Sequence, residues 1–153
     1  MSWLEFRIPP LLIALAAAAA MWLLARSYPE WAMPFEMRGA VATAVAVIGV
    51  MAVVAGAIQF RRARTTITPL NPAAASALVV SGIYRFTRNP MYLGVAIVLL
   101  AWAVYLSHPL ALLGVVAFAA YIHRFQIIPE EKTLRALFPG AYEAYARQVR
   151  RWL

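Results

Sequence analysis

The chain of 153 residues is 64% hydrophobic and 13% charged, against roughly 45–50% and 25% in soluble globular domains, which excludes a soluble fold of ordinary composition. It contains neither Cys nor Asp, so disulfides, thiolate metal sites and cysteine nucleophiles are excluded, and the six acids are all Glu. The net charge of +8 would suit nucleic acid in a soluble protein, but its placement along the chain assigns it to membrane topology, and neither a nucleic-acid partner nor a metal is expected.

Three predominantly apolar stretches carry no charge: residues 8–25 (18 residues), 39–60 (22) and 89–123 (35). A hydrocarbon core of ~30 Å takes about 20 helical residues, so the first two are single spans. The third is too long for one helix and holds Ser107-His108-Pro109 near its middle. The residue before a proline resists the helical conformation, and Pro109 suits a new first turn. The sequence therefore predicts an all-α integral membrane protein, one domain over residues 1–153. Its four transmembrane helices lie at about 8–25, 39–60, 91–106 and 109–127, the last two forming a tight hairpin. A polyalanine run at 16–20 gives the first span some likeness to a cleaved signal peptide, but Trp22, Leu23 and Leu24 extend it to spanning length. In the second span Ala42, Ala46, Gly49 and Gly56 form a small-residue stripe that permits close helix packing.

Basic residues orient the bundle, because positive charge near span ends stays on the cytoplasmic side. The first loop holds Arg26 and Arg38, and the hairpin turn holds none. Arg7, then Arg61, Arg62, Arg64, Arg85 and Arg88, then the six basic residues from Arg124 onward account for the other 12 of 14. Both termini, the motif loop 61–90 and the tail 128–153 are thus expected in the cytoplasm, with the protein in a bacterial inner membrane. In the tail, Pro139-Gly140 breaks the helix that can continue through Leu137. Tyr142, Tyr145, Val149 and Trp152 then recur at spacings of three and four, opposite Arg147, Arg150 and Arg151. That pattern suits an amphipathic interfacial helix with aromatic anchors toward lipid.

Chemistry-bearing residues gather in the cytoplasmic segments. Asn89 is placed to cap a helix beginning at Pro90, whose free N–H groups and positive dipole end would attract an anion. Arg85 and Arg88 serve either that anion or topology alone, and Tyr84 and Tyr92 offer aromatic faces with hydroxyl tips. Glu130 and Glu131 diverge by about 100° on a helix, so one ligand can face only one of them, and Glu130 is the better candidate. His123 suits interfacial packing better than catalysis, and His108 suits a turn. No Ser-His-acid arrangement exists, and no GxG provides a dinucleotide-binding turn.

Residues 78–84 (LVVSGIY), 88–94 (RNPMYLG), Pro129-Glu130-Glu131 and Phe138-Pro139-Gly140-Ala141-Tyr142 with Tyr145 together resemble the isoprenylcysteine carboxyl methyltransferase family. The wider group includes the phospholipid N-methyltransferases, and the chain is similar to its short bacterial members. The resemblance covers residues 65–153. It implies a membrane enzyme that transfers a methyl group from S-adenosylmethionine to a small or lipophilic acceptor among membrane lipids. Cofactor contacts would come from Ser76, Ala77, Leu78 and Val79, from Tyr84, from Asn89, Pro90, Met91 and Tyr92, and from Glu130. Arg88 and Gln126 would lie on the acceptor side. Asn89 stands where the prenylcysteine enzymes usually have His, and Gln126 where they have an arginine that engages the substrate carboxylate. Gln carries no charge for that role, and Arg124, two residues away, points about 200° around the helix. Thiol, carboxylate, amine and lipid headgroup all stay open as acceptors. Two other classes remain: a membrane reductase of the steroid-reductase type using a nicotinamide cofactor, and a non-catalytic membrane scaffold. A small exporter is disfavoured because no span has an ionisable residue near its middle.

Overall fold

The computed structural model describes residues 8–63 and 76–153; Arg7, Arg64 and the first part of the motif loop lie outside them. The elements are α1 (Pro10–Ser27), α2 (Arg38–Arg62), α3 (Pro90–Leu106), α4 (Leu112–Ile122), α5 (Ile128–Leu137) and α6 (Ala141–Gln148). Among the described residues there is no strand. α1, α2 and the continuous helical course Pro109–Leu137 are long and apolar enough to cross a membrane, and α3 is a shorter apolar helix. At 1.5 Å per residue its 17 residues reach about 25 Å. The outer faces expose Leu11, Leu12, Leu15 and Leu23 on α1, Val47, Ile48, Val50, Met51 and Val54 on α2, and Leu113 and Val116 on α4. A surface this apolar belongs in lipid, and the protein is an integral membrane protein.

Loop contacts show which helix ends lie together. At one end the Met33 N–H donates to the Ser107 carbonyl at 2.8 Å, and His108 Nε2 donates to the Tyr28 carbonyl at 2.9 Å. At the other end Gln126 Nε2 donates to the Ile8 carbonyl at 3.0 Å, and the Ser81 hydroxyl donates to Gln59 Oε1 at 3.1 Å.

The small-residue stripe on α2 is spent inside the chain. Ala42, Gly49 and Gly56 are buried, and a Cβ on Gly49 would sit 2.6 Å from the Gly94 carbonyl oxygen, as one on Gly94 would sit 2.5 Å from that of Gly49. The two backbones touch there, which only glycine permits. α1 packs on α3 and α4: Trp102 Nε1 donates to the Ala18 carbonyl at 3.1 Å, and Met21 is fully buried beneath Gly114. The first helix thus contributes Ala14 and Met21 to the bundle core.

Between α4 and α5 the helix widens into a π turn, His123–Ile127. Pro129 explains its position. With no N–H and a ring that crowds the carbonyl four residues earlier, it cannot continue the normal ladder, and one extra residue per turn relieves the clash. The tail departs from the expected interfacial helix. Tyr142 and Tyr145 turn inward and are buried with Val79, Tyr84 and Val149, Val149 is extended rather than helical, and Trp152 packs against the bundle core. The apolar face exists, but protein covers it.

Candidate active site

The site is built where α2 ends, α3 begins and α5 begins. Gly82, in the left-handed region at φ 60°, lets the chain turn over Gln59, whose side chain a Cβ would strike. The turn Gly82–Arg85 delivers Tyr84 inward, edge-on to Phe60 with ring centroids 5.6 Å apart. Its backbone carbonyl accepts from the Tyr145 hydroxyl at 2.7 Å. Burial, then the nearby charge of Glu130 and the phenol of Tyr145, raise the Tyr84 pKa well above the ordinary phenol value, so this hydroxyl stays neutral and able to donate.

Pro90 opens α3 as its first residue. Tyr92, one position beyond Met91, is buried and donates its hydroxyl to Glu130 Oε2 at 3.3 Å. Gly56 completes the floor: a Cβ there would meet Met91 at 2.7 Å, Pro90 at 3.4 Å and the Tyr84 hydroxyl at 3.6 Å. Tyr84, Pro90, Met91, Tyr92 and Glu130, drawn from three separate parts of the sequence, thus converge on one spot.

Asn89 occupies the expected N-cap position but does not cap. Its side-chain Nδ2 donates to the Arg151 carbonyl at 2.9 Å, and its backbone N–H donates to the Thr87 hydroxyl at 3.2 Å. Donation to this tertiary carbonyl holds the side chain away from the backbone N–H donors that a cap would serve, and the first turn of α3 has no side-chain cap.

Arg88 is committed as well. It pairs with Glu131 at 3.3 Å and donates to the Tyr142 hydroxyl at 3.1 Å. The Tyr142 pKa is pushed up to about 12, by burial first and then by Glu131, against the opposing pull of Arg88 and Arg135.

Glu130 and Glu131 diverge as the helix requires, one toward Tyr92 and the other toward Arg88 and Arg151. Gln126 is fully buried, and because a carbonyl can only accept, its amide nitrogen must face Ile8. Its Oε1 is buried without a partner among the described residues.

The sequence profile of phospholipid methyltransferases matches residues 37–141. The chain belongs to the phospholipid methyltransferase family. The matched segment contains Tyr84, Asn89, Tyr92 and Glu130, and family membership makes the protein a membrane methyltransferase in general terms. An uncharacterized protein of Haemophilus influenzae is 46% identical over 63 residues, which is 41% of this chain and 100% of that protein. No solved structure matched the chain.

The remaining residues that the family resemblance named are placed less centrally. Val79 is buried among the tail aromatics. Leu78 lines a separate open groove of about 720 Å³, with Val80, Ser81, Arg85, Tyr145, Gln148 and Val149 among its other walls. Ser76 is exposed and Ala77 partly so. Sequence reasoning missed Gln59, which stands out as one of two hydrogen-bonding side chains, with Thr43, in residues 39–60. It also missed Thr87 and the bonding of Arg151, for which no local pattern gives a signal.

Proposed function

We infer that the protein is a methyltransferase using S-adenosylmethionine, with its donor site at the mouth formed by Gly56, Tyr84, the start of α3 and Glu130. The observation that carries this is the Tyr92–Glu130 contact, which sets a lone acceptor group beside an uncapped helix start. The donor set suits the group. The free N–H groups of α3 match a carboxylate, Glu130 matches an ammonium or ribose hydroxyls, and the rings of Tyr84 and Tyr92 supply apolar faces for a purine. When bound, S-adenosylmethionine supplies an electrophilic methyl group on a sulfonium. The residues here hold, orient and exclude water, which suffices for a displacement that needs little acid–base assistance.

Four spans with both termini and this site in the cytoplasm accommodate the arginine distribution. α3, short for a bilayer, would be served by local thinning or by polar flanks that snorkel. A bacterial inner membrane is in keeping with the Haemophilus influenzae relative. The acceptor is a small or lipophilic molecule arriving through the membrane, in the manner of isoprenylcysteine carboxyl methyltransferases, with Gln126 as its polar contact.

Titration of purified protein with S-adenosylhomocysteine and, separately, with a reduced nicotinamide cofactor tests the reading. Binding of the first alone is expected. Binding of the second alone would indicate a reductase, and binding of neither a scaffold; either result overturns the proposal. Incubation with labelled S-adenosylmethionine and a membrane lipid extract then identifies the acceptor from the labelled product.

A further inference from the structure

Behind the donor site lies an ionic cluster that the reading above leaves unused. Glu131, whose side chain is 6% exposed, is enclosed by Arg88 at 3.3 Å and by the fork of Arg151, with Nε to Oε1 at 2.9 Å and Nη2 to Oε2 at 2.8 Å. The carbonyl of Arg151 is held as well, by Asn89 Nδ2 at 2.9 Å and the Thr87 hydroxyl at 3.4 Å. One residue earlier, the Arg150 carbonyl accepts from the Arg88 backbone N–H at 3.0 Å. Arg151 therefore bonds at once to the residue immediately before α3 and to the residue immediately after Glu130.

Simple attachment of the tail does not require this arrangement, because Tyr142, Tyr145 and Val149 already bury that segment against Val79 and Tyr84. Nor is it a loose surface pair: the carboxylate is desolvated and gripped bidentately, the geometry in which an ion pair fixes position. A further Arg151 nitrogen, Nη1, lies 3.5 Å from His123 Nε2, on the π turn that sets the direction of α5. The Glu131 contact raises the Arg151 pKa further, so the guanidinium stays charged.

We propose that Arg151 is a positioning residue for the donor site, tying the start of α5 to the start of α3 and so holding Glu130 within hydrogen-bond distance of Tyr92. This rests on the donor-site assignment above. Arg151 acts through Glu131 and Asn89 and touches no reacting group.

The test measures S-adenosylhomocysteine affinity by calorimetry for wild type, Arg151→Ala, Arg151→Lys, Glu130→Ala and the Arg151→Ala/Glu130→Ala double variant, with thermal unfolding recorded for each. Arg151→Ala is expected to weaken binding by up to about a hundredfold, the loss that follows when a charge-assisted acceptor such as Glu130 is drawn out of reach of the ligand. Lys, which keeps the charge but not the fork, should recover part of it. The double variant should lose less than the product of the two single losses, because part of the arginine's effect runs through the placement of that carboxylate. Wild type that binds while Arg151→Ala binds equally well overturns this inference alone. So does a double variant whose loss is the product of the two single losses. Wild type that fails to bind overturns the donor site itself, and this inference with it. Should Arg151→Ala not fold, Arg151→Lys decides: wild-type affinity in that folded variant overturns the role of the fork.

Discussion

The Tyr92 hydroxyl and the Glu130 carboxylate meet at 3.3 Å although 38 residues separate them in the chain. The hairpin formed by α3 and α4 makes this possible, since its turn at Ser107-His108 sends the chain back to the level from which α3 started. Burial raises the Glu130 pKa to about 7, so at pH 8, where it is ionised, replacing it by Ala removes a charge-assisted acceptor worth roughly 1.5–3 kcal/mol, and S-adenosylhomocysteine should bind about ten- to a hundredfold more weakly in calorimetry. Tyr92→Phe, which removes only the donor that orients it, should cost about two- to tenfold. Unchanged affinity in both would remove the site assignment.

Gln126 should separate acceptor from donor. Its amide nitrogen is occupied by the Ile8 carbonyl while its Oε1 has no partner among the described residues, so Gln126→Ala is expected to raise KM for the methyl acceptor. Affinity for S-adenosylhomocysteine should stay within about twofold, because the hydrogen bonds assigned to the donor are made elsewhere. A large loss of S-adenosylhomocysteine affinity would place Gln126 on the donor side instead.

The crossing of α2 and α3 makes a stability prediction. Gly94→Val drives a branched side chain into the Gly49 backbone, an overpacking that costs about 1–3 kcal/mol or more, and should lower Tm in detergent. Gly39→Ala is the control: nothing lies within 4 Å of a Cβ there, and Ala is the better helix former by up to about 1 kcal/mol, so Tm should hold or rise.

Tyr145→Phe should loosen the wall of the site without touching its chemistry. The substitution leaves the Tyr84 carbonyl without its 2.7 Å donor in a buried setting, a loss of about 1–3 kcal/mol. Hydrogen exchange is expected to quicken across residues 78–86 while α1 and α2 keep their protection.

Much of the architecture could be read from charge-free stretches, since burial in lipid leaves little freedom over which segments span. The grouping of the candidate residues was legible where they are close in sequence, as with Asn89 to Tyr92, and where two adjacent acids on a helix had to diverge, as Glu130 and Glu131 do. What escaped is tertiary. The capping rule is local and correctly finds the position of Asn89, but it cannot know that the Arg151 carbonyl stands nearer to the side chain. Periodicity in the tail reveals that Tyr142 and Tyr145 share a face and is silent on whether lipid or Tyr84 covers it. Arg151 looked like one more topology charge because its partner Glu131, 20 residues away, is brought to it only by the break at Pro139-Gly140 and the return of α6.

The widened turn at His123–Ile127 has a mechanical meaning. A regular helix transmits rotation like a rigid shaft, so any change in the membrane portion would re-aim everything above it. One surplus residue resets the phase by about 100° and acts as a coupling between two shaft sections. Deleting a single residue there should swing Glu130 off Tyr92 while the lower section keeps its grip on α1, so the bearing of the acid can be adjusted independently of the part that anchors the protein in its bilayer.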